Sequence, residues 1–223
     1  VTTIGEGSFS ECTSLINISI PDSVTTINDG AFYGCTKLIS IIIPSSVKSI
    51  GEAAFGECSS LTNITISDGV NNIKDVAFYR CSNLTDIVIP SSITSIGEVI
   101  FYDCYNLKQI KVDQNNPNYL DENGILYNKE KTQIISYPAG KLEKEFVIPS
   151  SVTTIKVEAF YRCEHLENVK IPESITSIEY GAFYRCENLR SIEIPESVKS
   201  IGNEIISDYT IIYTKADSEA HKY

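Results

Sequence analysis

Apolar residues recur along this chain at intervals far longer than the spacing of a helix turn or of one face of a strand. Seven of the eight phenylalanines, Phe9, Phe32, Phe55, Phe78, Phe101, Phe160 and Phe183, are each followed three residues later by a cysteine. Those cysteines, Cys12, Cys35, Cys58, Cys81, Cys104, Cys163 and Cys186, are separated by 23, 23, 23, 23, 59 and 23 residues. A valine or isoleucine followed by an isoleucine keeps the same step, from Val1/Ile4 through Val24/Ile27, Val47/Ile50, Val70/Ile73, Ile93/Ile96, Val152/Ile155 and Ile175/Ile178 to Val198/Ile201. One internal repeat therefore organises the chain.

Each unit divides into two halves. The first has the form Leu-x-x-Ile-x-Ile, as in Leu38/Ile41/Ile43, Leu61/Ile64/Ile66 and Leu189/Ile192/Ile194. Alternating β-branched residues predict a short strand with one buried face. Pro21, Pro44, Pro90, Pro149, Pro172 or Pro195 follows it, and a residue without an N–H ends the ladder there. The second half, Val-x-x-Ile-x-x-x-Ala-Phe-x-x-Cys, is expected to return the chain along the other side through an extended piece and a tight helical turn around Ala-Phe. A single unit cannot bury its own apolar face, so stability comes from stacking unit on unit.

The 59-residue gap is 23 plus 36, which leaves one unit with 13 extra residues between Val112 and Pro149. Within it Asn123-Gly124 is a turn signal. Ile125 to Asn128 and Thr132 to Tyr137, joined through Lys129 to Lys131, predict a β-hairpin that replaces the helical-turn half. Phe146 and Ile148 resume the strand, with Glu143 in place of the leucine. The pattern decays after Ile201. The repeat text, a strand followed by IPxSVxxIGxxAFxxC, resembles the BspA-type leucine-rich repeats of surface proteins from bacteria and some parasitic protists. The NPNY and LYNK text of the insertion is similar to one common in those proteins, and Ser218, Ala220 and Tyr223 resemble their capping tail. The resemblance implies an α/β solenoid, mainly β: a leucine-rich-repeat right-handed superhelix with a parallel sheet on the concave side and short helical turns on the other. It covers residues 1–223 as a single solenoid of about eight turns. Residues 113–148 form the longer repeat with its hairpin insertion and 203–223 a C-terminal cap, while the N-terminus starts in mid-repeat. At about 4.8 Å per strand the sheet would be roughly 38 Å across.

Composition narrows the chemistry. With 42% hydrophobic and 21% charged residues the chain is neither disordered nor fibrous. No run is long enough to span a bilayer and no signal segment precedes Val1, so a soluble fragment without membrane insertion is expected. The 18 basic and 29 acidic residues give a net charge of −11, which disfavours nucleic acid as a partner. The cysteines, one per turn beside a phenylalanine, are expected to form a buried column of free thiols, because in-register side chains point side by side rather than at each other. No CxxC exists, and Cys163 with His165 is a lone pair of metal-type ligands. His165 aligns with Lys37, Ser60 and Asn83 and is expected at the surface. Serines of the Pro-x-Ser turns are expected to bond their own backbone. Asp113-x-Asn115 starts like a calcium loop, but Asn118 stands where glycine is needed and Gly124 where a bidentate glutamate is needed. No enzyme, no cofactor, no metal and no catalytic residue is predicted.

What remains is surface. The outward positions of successive strands put Ile16, Ile39, Ile42 and Val88 among threonines in the first half of the concave sheet, an apolar patch of the sort that marks contact sites. The second half carries Lys108, Lys111, Lys144, Lys170 and Arg190. These nine residues are the candidate partner-binding set. Strand propensity alone would also place β-branched residues there, and Glu145, Glu167 and Glu193 could relieve the stacked cations. A second column follows each buried phenylalanine, with Tyr33, Tyr79, Tyr102, Tyr161 and Tyr184 beside Arg80, Arg162 and Arg185; interface chemistry and packing between turns explain it equally well. The resemblance implies an extracellular or cell-surface recognition module that mediates adhesion by binding a protein of the host or of a neighbouring cell. The alternative is a structural spacer of a larger surface protein with no ligand of its own. A carbohydrate-binding module would lack tryptophan platforms and could stack sugars only on tyrosine. The open N-terminal end is expected to favour end-to-end self-association.

Overall fold

The computed structural model describes residues 1–207 and 210–214. Each complete unit crosses the molecule twice. On one side lie the strands of the leucine motif, β3 (Ser40–Ile43), β5 (Asn63–Ile66), β7 (Asp86–Ile89), β9 (Gln109–Val112), β13 (Glu145–Val147), β15 (Asn168–Lys170), β17 (Ser191–Glu193) and, from the tail, β19 (Ile211–Tyr213). On the other side two-residue strands end on the isoleucine of Val-x-x-Ile: β1 (Thr3–Ile4), β2 (Thr26–Ile27), β4 (Ser49–Ile50), β6 (Asn72–Ile73), β8 (Ser95–Ile96), β14 (Thr154–Ile155), β16 (Ser177–Ile178) and β18 (Ser200–Ile201). The insertion supplies β10 (Tyr119–Glu122), β11 (Ile125–Asn128) and β12 (Gln133–Ser136), and β12 takes the place of one two-residue strand. The chain is a mainly β solenoid of about nine turns, one more than the repeats suggest.

The short strands form a five-stranded parallel sheet, β1-β2-β4-β6-β8, and with the insertion a mixed six-stranded one, β10-β11-β12-β14-β16-β18, antiparallel from β10 to β12 and parallel from β12 onward. Register follows the repeat: Ile4 pairs with Ile27, Ile27 with Ile50, Ile50 with Ile73 and Ile73 with Ile96. The predicted hairpin is present as β11 and β12, antiparallel, and the Asn123-Gly124 turn adds β10 to it. Across the insertion the step shortens, since Ile134 pairs with Ile155, 21 residues on.

Two expectations about the leucine-motif strands are corrected. The leucine-motif strands do not make one continuous sheet; they are hydrogen-bonded in parallel pairs, β3-β5, β7-β9, β13-β15 and β17-β19. Leu15 to Ile20 is not a strand at all. Leu15 and Ile18 are only partly buried, so little apolar burial flattens that segment, and it is tied to β3 by the Ile39 N–H donating to Ile16 O at 3.0 Å.

Nor are there helical turns: among the described residues there is no helix. The reason is backbone conformation. Two positions per turn, two residues before and two after each phenylalanine, lie in the left-handed region. Ala53 (φ 48°), Val76 (47°) and Val99 (45°) represent the first set, and Glu57 (56°), Arg80 (53°) and Asp103 (63°) the second. A right-handed helix cannot run through them. The chain instead makes single i to i+3 turns, such as Tyr33 N–H to Gly30 O at 2.9 Å and Cys35 N–H to Phe32 O at 3.2 Å. Turns also approach closely, and a Cβ on Gly51 would collide with the main chain of Asn28 and Asp29.

The phenylalanines stack into a ladder inside the coil, with ring centres 5.1 to 6.0 Å apart from Phe9 through Phe101. Beside it runs the cysteine column, and all seven thiols are free. Six of them reach back one turn: Cys58 Sγ, for example, donates to Phe32 O at 3.2 Å, Cys81 to Phe55 O at 3.1 Å and Cys104 to Phe78 O at 3.0 Å. A small side chain with a weak donor both fills the corner and satisfies a carbonyl of the preceding turn. The buried side chains fall into two clusters, one from Ile4 to Leu126 and one from Ile125 to Ile205.

Candidate binding face

Outward positions of the leucine-motif strands alternate with buried ones, exposed-buried-exposed-buried in β3, β5 and β7. This alternation puts all nine residues of the candidate set in solvent. Ile16, Ile39 and Val88 are about half exposed and Ile42 is 65% exposed. Ile39 directly precedes β3 and Ile42 lies within it, whereas Ile16 sits on the irregular segment beside it. Val88 is paired in register with Lys111 of β9, so the apolar and cationic halves meet between β7 and β9. On the far side of the insertion Lys144 is bonded to Glu167 at 2.7 Å, which holds the Lys144 ammonium above its ordinary pKa. No ion pair to Lys108, Lys111, Lys170 or Arg190 is formed among the described residues.

Three further apolar residues belong to this face. Val147 is 64% exposed in β13, and Ile211 and Tyr213, both 58% exposed, extend the row as β19. β19 pairs Ser191 with Ile211, a step of 20 rather than 23, so the tail had dropped out of phase with the repeat. The remaining cap residues, including Ser218, Ala220 and Tyr223, lie outside the described residues.

Reactive chemistry has little to work with. Six cysteines are buried and Cys12 is partly so. Burial raises the Cys35 thiol to about 11 and the Cys58 and Cys104 thiols to about 12, so none of these is a nucleophile near neutral pH. Cys163 is buried while its neighbour in sequence, His165, is exposed. Among the described residues no three His, Cys, Asp or Glu side chains are gathered to hold a metal ion. The calcium-like text is an Asx turn, with Asp113 Oδ1 accepting from Asn115 N–H at 2.8 Å. Asn116, fully buried, donates to Pro90 O and Ile93 O and so pins the insertion to the preceding turn. The Pro-x-Ser hydroxyls do not bond their own backbone. Ser23 and Ser92 donate to carbonyls 22 residues earlier, and those of Ser46, Ser174 and Ser197 are shielded with no partner, because the turn aims them at the neighbouring unit.

The tyrosine and arginine column is packed between turns. Tyr79 lies 5.6 Å from Tyr102, Tyr102 stacks on Tyr161 at 4.2 Å, and Tyr161 lies 6.2 Å from Tyr184. Asp103, 8% exposed, accepts from Arg80 Nε at 3.3 Å and from Arg162 at 2.6 Å, so one carboxylate bridges both sides of the insertion.

The sequence profile described as BspA type Leucine rich repeat region matches residues 2–130 and 137–216 in six copies. A leucine-rich repeat protein from Eubacterium ventriosum is 32% identical, with a TM-score of 0.76 over 90% of this chain and 61% of that one. The chain thus spans less than two thirds of that protein's length. A leucine rich cell surface protein from Faecalibacterium prausnitzii is 28% identical, with a TM-score of 0.72 over 100% of this chain and 71% of that one. The pneumococcal vaccine antigen PcpA shares the fold, with a TM-score of 0.77 at 21% identity over 97% of this chain and 75% of that one. No curated protein matches in sequence.

Proposed function

We propose, from the premise that this chain belongs to the BspA-type leucine-rich-repeat family, that it is an extracellular or cell-surface recognition module that mediates adhesion by binding a protein through its strand face. The observation that carries this reading is the combination of exposed apolar and cationic side chains on that face. Ile39, Ile42 and Val88 are exposed at one end, and at the other Lys108, Lys111, Lys170 and Arg190, without ion pairs among the described residues, stand beside the exposed Val147, Ile211 and Tyr213, on a chain whose net charge is −11. Exposed isoleucines cost solubility unless covered. Unpaired cations on an acidic protein select a partner by sign. The partner that fits is a protein with an acidic patch beside an apolar one. Surface display is supported by the family and by the likeness to the cell-surface protein of Faecalibacterium prausnitzii.

The reading is tested by exchanging Lys108, Lys111 and Lys170 for glutamate and panning both forms against extracellular-matrix and cell-surface proteins. Binding by the parent that falls about tenfold or more in the variant and weakens with salt is expected. Equal binding by both would remove this face from consideration. The competing reading, a spacer that holds another domain away from the surface, draws on the greater length of the Eubacterium ventriosum relative. It would be left standing if neither form captured a partner.

A further inference from the structure

A second surface, lined by none of the nine strand-face residues, has a different chemistry. It is a groove of about 240 Å³ on the corner where each turn half feeds the next strand. Its floor is a column of residues that each follow a cysteine, Thr36, Ser59 and Ser82, one turn apart and so spaced by about 4.8 Å. The next member of that column is Tyr105, which closes one end with a ring 44% exposed. Along the side stand Glu57, Arg80 and Asp103, each one residue before a cysteine.

These side chains are held before any ligand arrives. Arg80 donates to Glu57 at 3.0 Å and to Asp103 at 3.3 Å, and Asp103 also accepts from Arg162 at 2.6 Å. Arg162 lies 5.0 Å from the Tyr105 ring centre but does not line the groove, so it steadies the ring from outside. The main chain is fixed as well, because Glu57 N–H and Arg80 N–H are bonded to Tyr79 O and Tyr102 O of the following turn.

We infer that this groove is a subsite for a neutral saccharide. An aromatic face with its negative quadrupole takes the polarised C–H face of a sugar ring. Carboxylates, a guanidinium and hydroxyls in a row offer both acceptors and donors to successive sugar hydroxyls. Charge argues against an ionic ligand: each arginine in the cluster is already bonded to carboxylates, which leaves no free cation for phosphate or sulfate and no unpaired pair of acids for a metal. Size limits the ligand, since the volume is below the roughly 300 Å³ at which drug-sized pockets begin. It suits one or two rings of a glycan whose chain runs on along the turns. A peptide strand would need a free sheet edge, which the groove does not offer.

The test is saturation-transfer NMR on the intact chain with neutral gluco-, galacto- and manno-oligosaccharides. At least one series should bind, with transfer from the Tyr105 ring and no weakening in high salt. Tyr105→Ala should lower affinity by about tenfold or more, while Tyr105→Trp, which keeps a platform, should retain or raise it. The Lys108, Lys111 and Lys170 glutamate variant should bind sugar like the parent, which separates this site from the strand face. Absence of binding by every neutral series would overturn the inference. So would affinity indifferent to Tyr105→Ala, loss in Tyr105→Trp as well with the melting temperature intact, or binding confined to acidic sugars.

Discussion

The regular turns up to Phe101 and the seam where the insertion joins them differ in what carries the load. Between regular turns the main chain does it: Phe9, Phe32, Phe55 and Phe78 each donate their N–H to the residue 22 positions later in the next turn, at 2.8 to 3.0 Å. At the seam this series stops, and Phe101, Val99 and Asp103 have no main-chain acceptor in the turn beyond. The phenylalanine ladder is interrupted there too, because a cavity of about 30 Å³ is lined by both Phe101 and Tyr137. Main-chain bonds remain from Gly140 N–H to Leu107 O at 2.8 Å and from Ile110 N–H to Gly124 O at 2.9 Å, and elsewhere side chains take over. The Tyr102–Tyr161 stack, the Asp103 bridge to Arg80 and Arg162, and the Ile96 N–H bonded to the Tyr119 hydroxyl at 2.9 Å close the gap. A repeat bonds itself; a break in the repeat must be bonded by particular residues.

The comparison is broken most severely inside the regular stack. Phe78 is fully buried between Phe55 and Phe101, so Phe78→Ala removes two ring contacts and leaves a cavity that neighbouring turns cannot fill. A loss of about 3 to 5 kcal/mol is expected in urea unfolding. A loss below about 1 kcal/mol would mean that the column is not the core.

An intermediate effect sharpens the comparison at the seam. Glu158 lies beside the cavity with its Oε2 shielded and unbonded, and burial, then the carboxylates of Asp103 and Glu204, push it up to about 7. Tyr102, Tyr137 and Tyr161 line the same cavity, burial raises the Tyr137 and Tyr161 hydroxyls, and Arg162 is bonded to Asp103 and Glu164. The ordinary value is 4.5. Between the two the folded chain keeps a proton that the unfolded chain gives up, so stability falls as pH rises through this window and the loss is complete above about 7. With solvent screening at a half-buried group the loss is about 1 to 2 kcal/mol. Glu158→Gln should flatten the decline in melting temperature between about pH 5 and 8 and leave the variant the more stable form at the upper end. An unchanged slope would place the titrating group elsewhere.

How much of this was legible in the letters depends on phase. Where the step stayed at 23, strand, proline, buried cysteine and outward isoleucine were all readable, because burial repeats with sequence. The left-handed positions were signalled only in some turns, by Gly7, Gly30, Gly34 and Gly181, and were masked in others by Ala53, Val76, Glu57 and Arg80. A helix was the natural reading of Ala-Phe. At the insertion the step failed in the forward direction, and Tyr137 passed for the end of a hairpin strand. Counted backwards from Phe160 it is 23 residues away, the missing rung of the ladder, and its ring stacks on Phe160 at 5.1 Å. Cys163 Sγ reaches back to Tyr137 O just as other cysteines reach a phenylalanine carbonyl, though at 3.7 Å. The column of Thr36, Ser59, Ser82 and Tyr105 also keeps the step of 23, but only the structure shows that it lines a groove beside Glu57, Arg80 and Asp103.

The smallest expected effect is the most diagnostic of the seam. Tyr137 fills a phenylalanine position, is 3% exposed, and has a hydroxyl with no bonding partner. In the regular stack such an oxygen would cost stability with no return, so Tyr137→Phe should leave the melting temperature unchanged or raise it by the equivalent of up to about 1 kcal/mol. The cavity beside it has room for about one water. A water held there could also reach the open N–H groups of Val99 and Phe101, which makes the tyrosine one side of a bridge. In that case Tyr137→Phe would lower stability by about 1 kcal/mol and speed hydrogen exchange at those two amides. A rise in stability thus marks the seam as a packing defect in an otherwise uniform coil, and a fall marks it as a second, water-built ladder.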